Sequence, residues 1–370
     1  MKKLSVWHVG LARLITGFYF SKIHVIGERA SKPTLYIASH RNGATDGQVY
    51  TWAIDKTPSL ISIQMLRKWF LKLVFDGIAV VRPQDTQRYK ISHDSVASPI
   101  QLAIQQLSSG GSLCIMPEGS SEWREKPEAY KEGMARIVKQ LKLNQIDFVV
   151  QSMGVFYTKP DGFRSQVSIV FGSAFMPHES TVDGIFLEMS ERLNDVSVNC
   201  QNVQQFNQIQ AMAWNRIKHL EPSIQLESRQ HQTQDYGELF LALQSGAKHN
   251  DLSVNSAINI EIKKSLSPTR KILNPMIKIL FFIGFFPTVL FALLAQKGSD
   301  GRNNLTFFRL LGGFYGSILT CILWIVGLFI VPVYSIIIML LGWIGWYFYP
   351  EPEPEPIALT TRCLNKDTID

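Results

Sequence analysis

The sequence predicts an α/β fold, a mixed sheet flanked by helices, followed by polar helices and C-terminal transmembrane helices. Three observations carry that expectation. Between residues 24 and 180, short apolar runs alternate with helical patterns, as in a layered α/β domain. Two of those runs end in polar, glycine-containing turns, Ser39-His40-Arg41-Asn42-Gly43-Ala44-Thr45-Asp46 and Met116-Pro117-Glu118-Gly119-Ser120. From Ile272 onward the composition turns apolar, and its longest stretches exceed the ~20 residues that cross a bilayer.

The first element, residues 4–23, reads as an amphipathic helix. Trp7, Leu11, Leu14, Ile15 and Phe18 fall near one face, which either lies among lipid headgroups or packs on the protein's own core. The opening Met-Lys-Lys resembles a signal peptide, but His8 and Arg13 interrupt the apolar run and no small-residue cleavage site follows. Candidate strands are Thr34–Ala38, Ile78–Val81, Ser112–Met116, Phe148–Met153 and Val167–Phe171. Helical patterns separate them at Gly47–Ile54, Met65–Phe75, Pro99–Ser108 and Gly133–Leu143. Residues 181–262 are polar and helix-rich, with Phe186, Met189 and Leu193 and then Phe206, Ile209, Met212 and Ala213 at helical spacing, and Ser228–Asp235 reads as a loop.

Residues 272–349 hold transmembrane or re-entrant segments. Met276–Ala295 is interrupted by Pro287, and residues 311–349 divide naturally near Val331-Pro332. Lys263, Lys264, Arg270 and Lys271 precede the first stretch, and Lys297, Arg302 and Arg309 follow it. Positive charge on both flanks conflicts with a single crossing, and one resolution is a re-entrant or interfacial hairpin bent at Pro287. Residues 350–370 begin with Pro-Glu repeats and read as a stiff, solvated polyproline-type spacer.

The bulk numbers narrow the function classes. A formal net charge of +7 beside membrane segments suits anionic headgroups and anionic substrates. Nucleic acid is the weaker reading and is not expected as a partner, because no Lys/Arg-rich block or aromatic-basic motif is present. Cys114, Cys200, Cys321 and Cys363 lack metal-ligand spacing and read as reduced thiols of a cytosol-facing protein. No metal site is expected.

The chemistry concentrates in the two turns. Deprotonating an alcohol near neutral pH suits an imidazole, and a neighbouring carboxylate fixes its tautomer and stabilises the imidazolium. His40 and Asp46 are placed as that base and its orienter, the chain turning at Asn42-Gly43 so that Asp46 enters the first turn of a helix. Gly119 permits close backbone approach, Ser120 offers a hydroxyl and an N–H, and Glu118 can hold a substrate hydroxyl. Arg82 closes an apolar run and suits phosphate, with Arg41 and Arg124 as further phosphate candidates. His93-Asp94 lies in a polar loop without a second motif, and Ser120 lacks the G-x-S-x-G elbow of a nucleophile.

These residues resemble the glycerolipid acyltransferase family, which includes glycerol-3-phosphate and lysophosphatidate acyltransferases. The resemblance covers roughly Lys32–Phe171 and makes residues 24–180 an acyltransferase domain. That family carries a His-x4-Asp motif, a strand ending in arginine, a Phe-Pro-Glu-Gly-Thr/Ser motif and a later apolar strand with proline. The counterparts are His40 and Asp46, Gly77–Arg82, Met116–Ser120 and Phe148–Val155. The resemblance implies His40 as base, Asp46 as its orienter, and the Arg82 and Glu118-Gly119 regions as the site for a phosphorylated glycerol acceptor. It implies acyl-CoA or acyl-carrier protein as co-substrate, no further cofactor, membrane lipids as surroundings, and an integral membrane protein whose catalytic domain faces the cytoplasm. This chain departs from the pattern in three places: the spacing is His-x5-Asp, Ser121 stands where an arginine is usual, and Val150-Gln151-Ser152-Met153 lacks the proline. The longer spacing and the later membrane segments are similar to fungal-type glycerol-3-phosphate/dihydroxyacetone-phosphate acyltransferases. Two alternatives stay open: a lysophospholipid acyltransferase of membrane remodelling, and a non-catalytic lipid-binding protein on the same fold.

Overall fold

The computed structural model describes residues 1–81, 98–219, 235–248 and 268–357. Its centre is a mixed five-stranded sheet in the order β1-β7-β6-β2-β5, formed by β1 (Lys22–Ile26), β2 (Thr34–Ala38), β5 (Leu113–Ile115), β6 (Val149–Tyr157) and β7 (Gln166–Phe171). All neighbours are parallel except β6 and β7, which run antiparallel. β3 (Leu60–Ser62) and β4 (Ile78–Val80) form a parallel pair, joined to the main sheet through a parallel bridge between Ser59 and Cys114. Strands β2 and β7 are buried along their whole length and so read as continuous apolar or mixed runs rather than alternating ones.

Helices cover both faces. Helix α1 (Val6–Tyr19) and α2 (Ala44–Ile54) pack on one side around Tyr36, Val49, Tyr50 and Tyr157. Between β3 and β4 run two short helices, α3 (Gln64–Arg67) and α4 (Trp69–Lys72). On the other face α5 (Pro99–Ser108), α6 (Gly133–Leu143) and α7 (Val182–Asn194) enclose a core of Leu35, Ile37, Leu107, Val138, Val150 and Met189. Helix α5 begins with a full capping box, in which Ser98 and Gln101 satisfy each other's backbone N–H, followed by Pro99 at the first turn. Helices α8 (Val203–His219) and α9 (Tyr236–Lys248) close the β7 end through Phe156, Phe206 and Phe240.

Four helices follow: α10 (Pro268–Gly284), α11 (Phe286–Ala295), α12 (Arg302–Ile330) and α13 (Pro332–Tyr347). Among the described residues α12 is the one helix long and apolar enough by itself to cross a bilayer, by length and composition. Residues Ile272–Gly284 and Phe286–Gly298 form a pair bent by 97°, the break falling at Phe285 just before Pro287. The bend frees backbone groups that a membrane would leave unpaired. Trp324 Nε1 donates to the Gly284 carbonyl at 3.2 Å, and the Thr288 N–H donates to Thr320 Oγ1 at 3.2 Å. Glycines let the helices close up: a Cβ on Gly342 would lie 2.7 Å from the Gly284 Cα, and one on Gly316 would lie 2.7 Å from the Pro287 carbonyl oxygen.

Several expectations need correction. The stretch read as a helix to residue 23 ends at Tyr19, and Lys22–Ile26 is an edge strand; its mixed Lys-Ile-His-Val-Ile pattern follows from partial exposure at the sheet margin. Leu11 and Phe18 of the expected α1 face are turned inward, Leu11 onto Leu71, Phe75 and Phe307, Phe18 onto Phe285 and Trp346, while Trp7 and Leu14 stay exposed. The expected single helix Met65–Phe75 is split by extended backbone at Lys68, which leaves Trp69 outside while Leu71, Val74 and Phe75 are buried. The Pro-Glu segment is not a free spacer over residues 351–357. Glu351 accepts from Ser21 Oγ at 2.9 Å and Gln166 Nε2 at 3.1 Å and pairs with Lys218; Glu355 pairs with Lys159 and, at 3.5 Å, with Arg302. Alternate glutamates find cations on the α/β domain, so the segment lies along it as a strap. Residues Arg82, His93, Asp94, Lys263, Lys264 and Cys363, and most of the Ser228–Asp235 loop, lie outside the described residues.

Candidate active site

β2 and β5 are adjacent and parallel, so the turns leaving them emerge side by side at the carboxyl end of the sheet, where such sheets place ligands. The first turn presents His40. Buried Tyr50 donates to the Ser39 carbonyl at 2.8 Å, and the Val155 N–H donates to Ser39 Oγ at 3.0 Å, which fixes the residue before the imidazole. The chain then reverses at Gly43, whose φ of 54° favours glycine, and enters α2.

Asp46 sits in the first turn of α2, fully buried. His40 Nδ1 lies 2.9 Å from Asp46 Oδ2. The same oxygen accepts from the backbone N–H of Arg41 at 2.6 Å and of Asn42 at 2.7 Å, and Tyr157 donates to Oδ1 at 2.6 Å. Burial, reinforced by the Asp46 charge, pushes the Tyr157 phenol well above its ordinary range, so it stays a donor. A carboxylate only accepts, so a neutral imidazole in this contact carries its proton on Nδ1 and leaves the lone pair on Nε2. Nε2 has no hydrogen-bond partner among the described residues, and the side chain keeps 17% exposure. The reversal at Asn42-Gly43 lets the backbone N–H groups of Arg41 and Asn42 converge with the imidazole on one carboxylate oxygen.

The second turn meets the first through Glu118. Its Oε1 accepts from the His40 backbone N–H at 2.8 Å, and its Oε2 from the Glu128 N–H at 3.4 Å. Burial raises the Glu118 carboxyl to about 7, opposed by the His40 hydrogen bond and the nearby Arg41 charge. Gly119 adopts φ 71°, and Gly119 and Ser120 are exposed at the tip. Glu118 thus braces the backbone of His40 from a buried position.

The arginine candidates fare differently. Arg41 is buried: its Nη2 donates to the Arg124 carbonyl at 2.6 Å, and its guanidinium lies 4.6 Å from the Trp123 ring centroid. Burial lowers its pKa while the charge of Glu118 works against that. Such an interior cation ties the two turns together and is not offered to solvent. Arg124 is half exposed and held by Glu122 at 2.9 Å and Glu128 at 2.8 Å.

Three contributors had no local signal in the sequence. Tyr157 reaches Asp46 from the end of β6, a strand expected to end at Met153. Ser121 Oγ accepts from the Gly43 N–H at 3.0 Å, joining the turns. Asn303, in the first turn of α12, donates from its side chain to the Ser121 carbonyl, and a Cβ on Gly43 would lie 2.7 Å from the Asn303 carbonyl oxygen. Thr306 Oγ1 at 2.7 Å and Asn42 Nδ2 at 2.9 Å both donate to the Pro160 carbonyl. The start of the apolar helix therefore grips both site turns. The arrangement supplies an oriented base with a free lone pair at the end of a sheet.

No family model matches the chain, and no curated protein matches it. Among solved structures, the 1-acyl-sn-glycerophosphate (LPA) acyltransferase PlsC from Thermotoga maritima is similar at 14% identity and a TM-score of 0.37, over 49% of this chain and 74% of that one.

Proposed function

We propose that the protein is a membrane-bound O-acyltransferase that moves a fatty acyl group from an acyl thioester to a hydroxyl of glycerol 3-phosphate or a related phosphorylated glycerol. The single observation that carries this reading is the His40–Asp46 contact of 2.9 Å with the Glu118 turn bonded to the base's own backbone. His40 Nε2 takes the proton of the acceptor hydroxyl as the oxygen attacks the thioester carbonyl carbon. Asp46 stabilises the imidazolium so formed. The tetrahedral intermediate then expels the thiolate, the carbon–sulfur bond breaks, and the proton on His40 passes to the sulfur. An ester and a free thiol result, with no acyl-enzyme. The apolar helices α10–α13 hold the site at a bilayer, where the product partitions. The motif resemblance of Lys32–Phe171 supports the same reading.

The test is an acceptor panel. Full-length protein in proteoliposomes receives labelled acyl-CoA with glycerol 3-phosphate, dihydroxyacetone phosphate, lysophosphatidate or zwitterionic lysophospholipids, and products are identified by mass. Label in a phosphorylated glycerol is the expected outcome. Label only in zwitterionic lysophospholipids reassigns the protein to membrane remodelling. No transfer to any acceptor, from acyl-CoA or acyl-carrier protein, overturns the reading.

A further inference from the structure

The turn after β5 carries a cation that the chemistry above leaves unused. Arg41 is buried beneath Trp123, and Arg124 is neutralised by Glu122 and Glu128. Arg302, next to the Asn303 that grips Ser121, is paired with Asp161 at 3.3 Å and Glu355 at 3.5 Å. Lys131 differs from all three. Its backbone N–H donates to the Pro117 carbonyl at 3.0 Å, which laces the residue to the turn. Its ammonium lies against Gly119: a Cβ there would sit 2.8 Å from Nζ and 3.1 Å from Cε. Among the described residues neither a carboxylate nor any other protein acceptor meets that ammonium, and Lys131, Gly119 and Ser120 are all exposed.

An ammonium offers three N–H donors and attracts any anion that reaches it. Here it is laid over the backbone at Gly119, the residue before Ser120, instead of extending freely into water. The absent Cβ of Gly119 is what lets it lie there. The residue before Gly119 holds the backbone of His40, so the turn beneath the cation is bonded to the turn that carries the base. A glycerol skeleton carries its phosphate at one end and a free hydroxyl at another, which suits a site with a cation on one side and a base on the other.

We propose that Lys131 is the anion contact of the acceptor site and sets a preference for a phosphorylated acceptor over a neutral one. This rests on the acyl-transfer reading, and the test separates the two. Wild type, Lys131→Met and Lys131→Arg are prepared as full-length protein, with matched thermal unfolding as the folding control. Glycerol 3-phosphate binding is followed by calorimetry, and transfer from acyl-CoA is followed to glycerol 3-phosphate and to glycerol. The expected result for Lys131→Met is about 10- to 100-fold weaker binding of glycerol 3-phosphate, the worth of a charge-assisted hydrogen bond. Its kcat/KM for glycerol 3-phosphate falls by a similar factor, mainly through KM, with a far smaller change for glycerol, and Lys131→Arg stays near wild type. Gly119→Ala, which puts a methyl group where the ammonium lies, weakens binding in the same direction. Binding that depends on Lys131 without turnover overturns the acyl-transfer reading and leaves the anion contact standing. Unchanged binding in Lys131→Met, or equal losses for both acceptors, overturns the anion contact.

Discussion

Replacing Asp46 by Asn is the most informative single perturbation of the site. The carboxylate accepts four hydrogen bonds, three at Oδ2 and one at Oδ1, and two of the donors are backbone N–H groups of the turn itself. If the new amide nitrogen takes the Oδ2 position, it faces His40 Nδ1 and two backbone N–H groups, all donors. The amide therefore turns its oxygen to them and its nitrogen toward the Tyr157 hydroxyl, which can accept. The fold survives with hydrogen bonds of neutral rather than charged strength, at a cost of about 1–3 kcal/mol. The chemistry suffers more. The imidazolium formed during transfer loses its counter-charge, which is worth roughly 100- to 10,000-fold in rate. The assay is initial-rate thiol release from acyl-CoA in proteoliposomes with saturating acceptor, alongside thermal unfolding of the same samples. A folded Asp46→Asn variant with activity within about threefold of wild type, far short of that range, refutes the assigned role of Asp46.

Glu118 gives a pH signature. Burial holds its carboxyl at about 7, above its ordinary 4.5, so the folded chain binds this proton more tightly than the unfolded chain. Its stabilising contribution is present below the unfolded value and is lost as pH rises through about 7. Chemical denaturation at pH 5 and pH 8 should show wild type losing up to about 3 kcal/mol from this group. Glu118→Gln, which keeps an oxygen for the His40 N–H, should flatten that difference, and an unchanged pH slope in the variant contradicts the assignment. Gly43→Ala should lower both the midpoint of thermal unfolding and kcat, because its Cβ would meet the Asn303 carbonyl oxygen and Asn304 Oδ1, each at 2.7 Å, on backbone at positive φ. The expected cost is about 1–3 kcal/mol, and wild-type stability in that variant would show that α12 does not press on the His40–Asp46 turn.

Much of the site was legible because it is local. Leu35–Ala38 and Leu113–Ile115 are short apolar runs that end in turn-forming residues, and parallel pairing of two such strands brings their exits together. Helices with strong boundary signals, such as Ser98-Pro99 at the start of α5, were found to the residue. The fates of Arg41 and Glu118 were not legible. Arg41 lies buried against Trp123 and Phe206, and Glu118 is bonded to the His40 backbone, placements set by partners distant in sequence. Asn303 is further still, 182 residues from the Ser121 carbonyl it reaches. The charges flanking the apolar segments also carried two meanings at once. Arg302 and Arg309, read as topology signals, hold the loop at Asp161. Composition marks such residues as cations near a bilayer, and only the folded chain shows which carboxylates and carbonyls they meet.

The central claim is that His40 accepts the proton of the attacking hydroxyl, and the most direct test is the transfer rate of a folded His40→Ala variant. Full-length wild type and variant, reconstituted at equal density with labelled acyl-CoA and saturating glycerol 3-phosphate, should differ by at least about 100-fold in product formation, the lower bound for loss of a positioned base. Matching rates in the two preparations would contradict the account, whatever the acceptor proves to be.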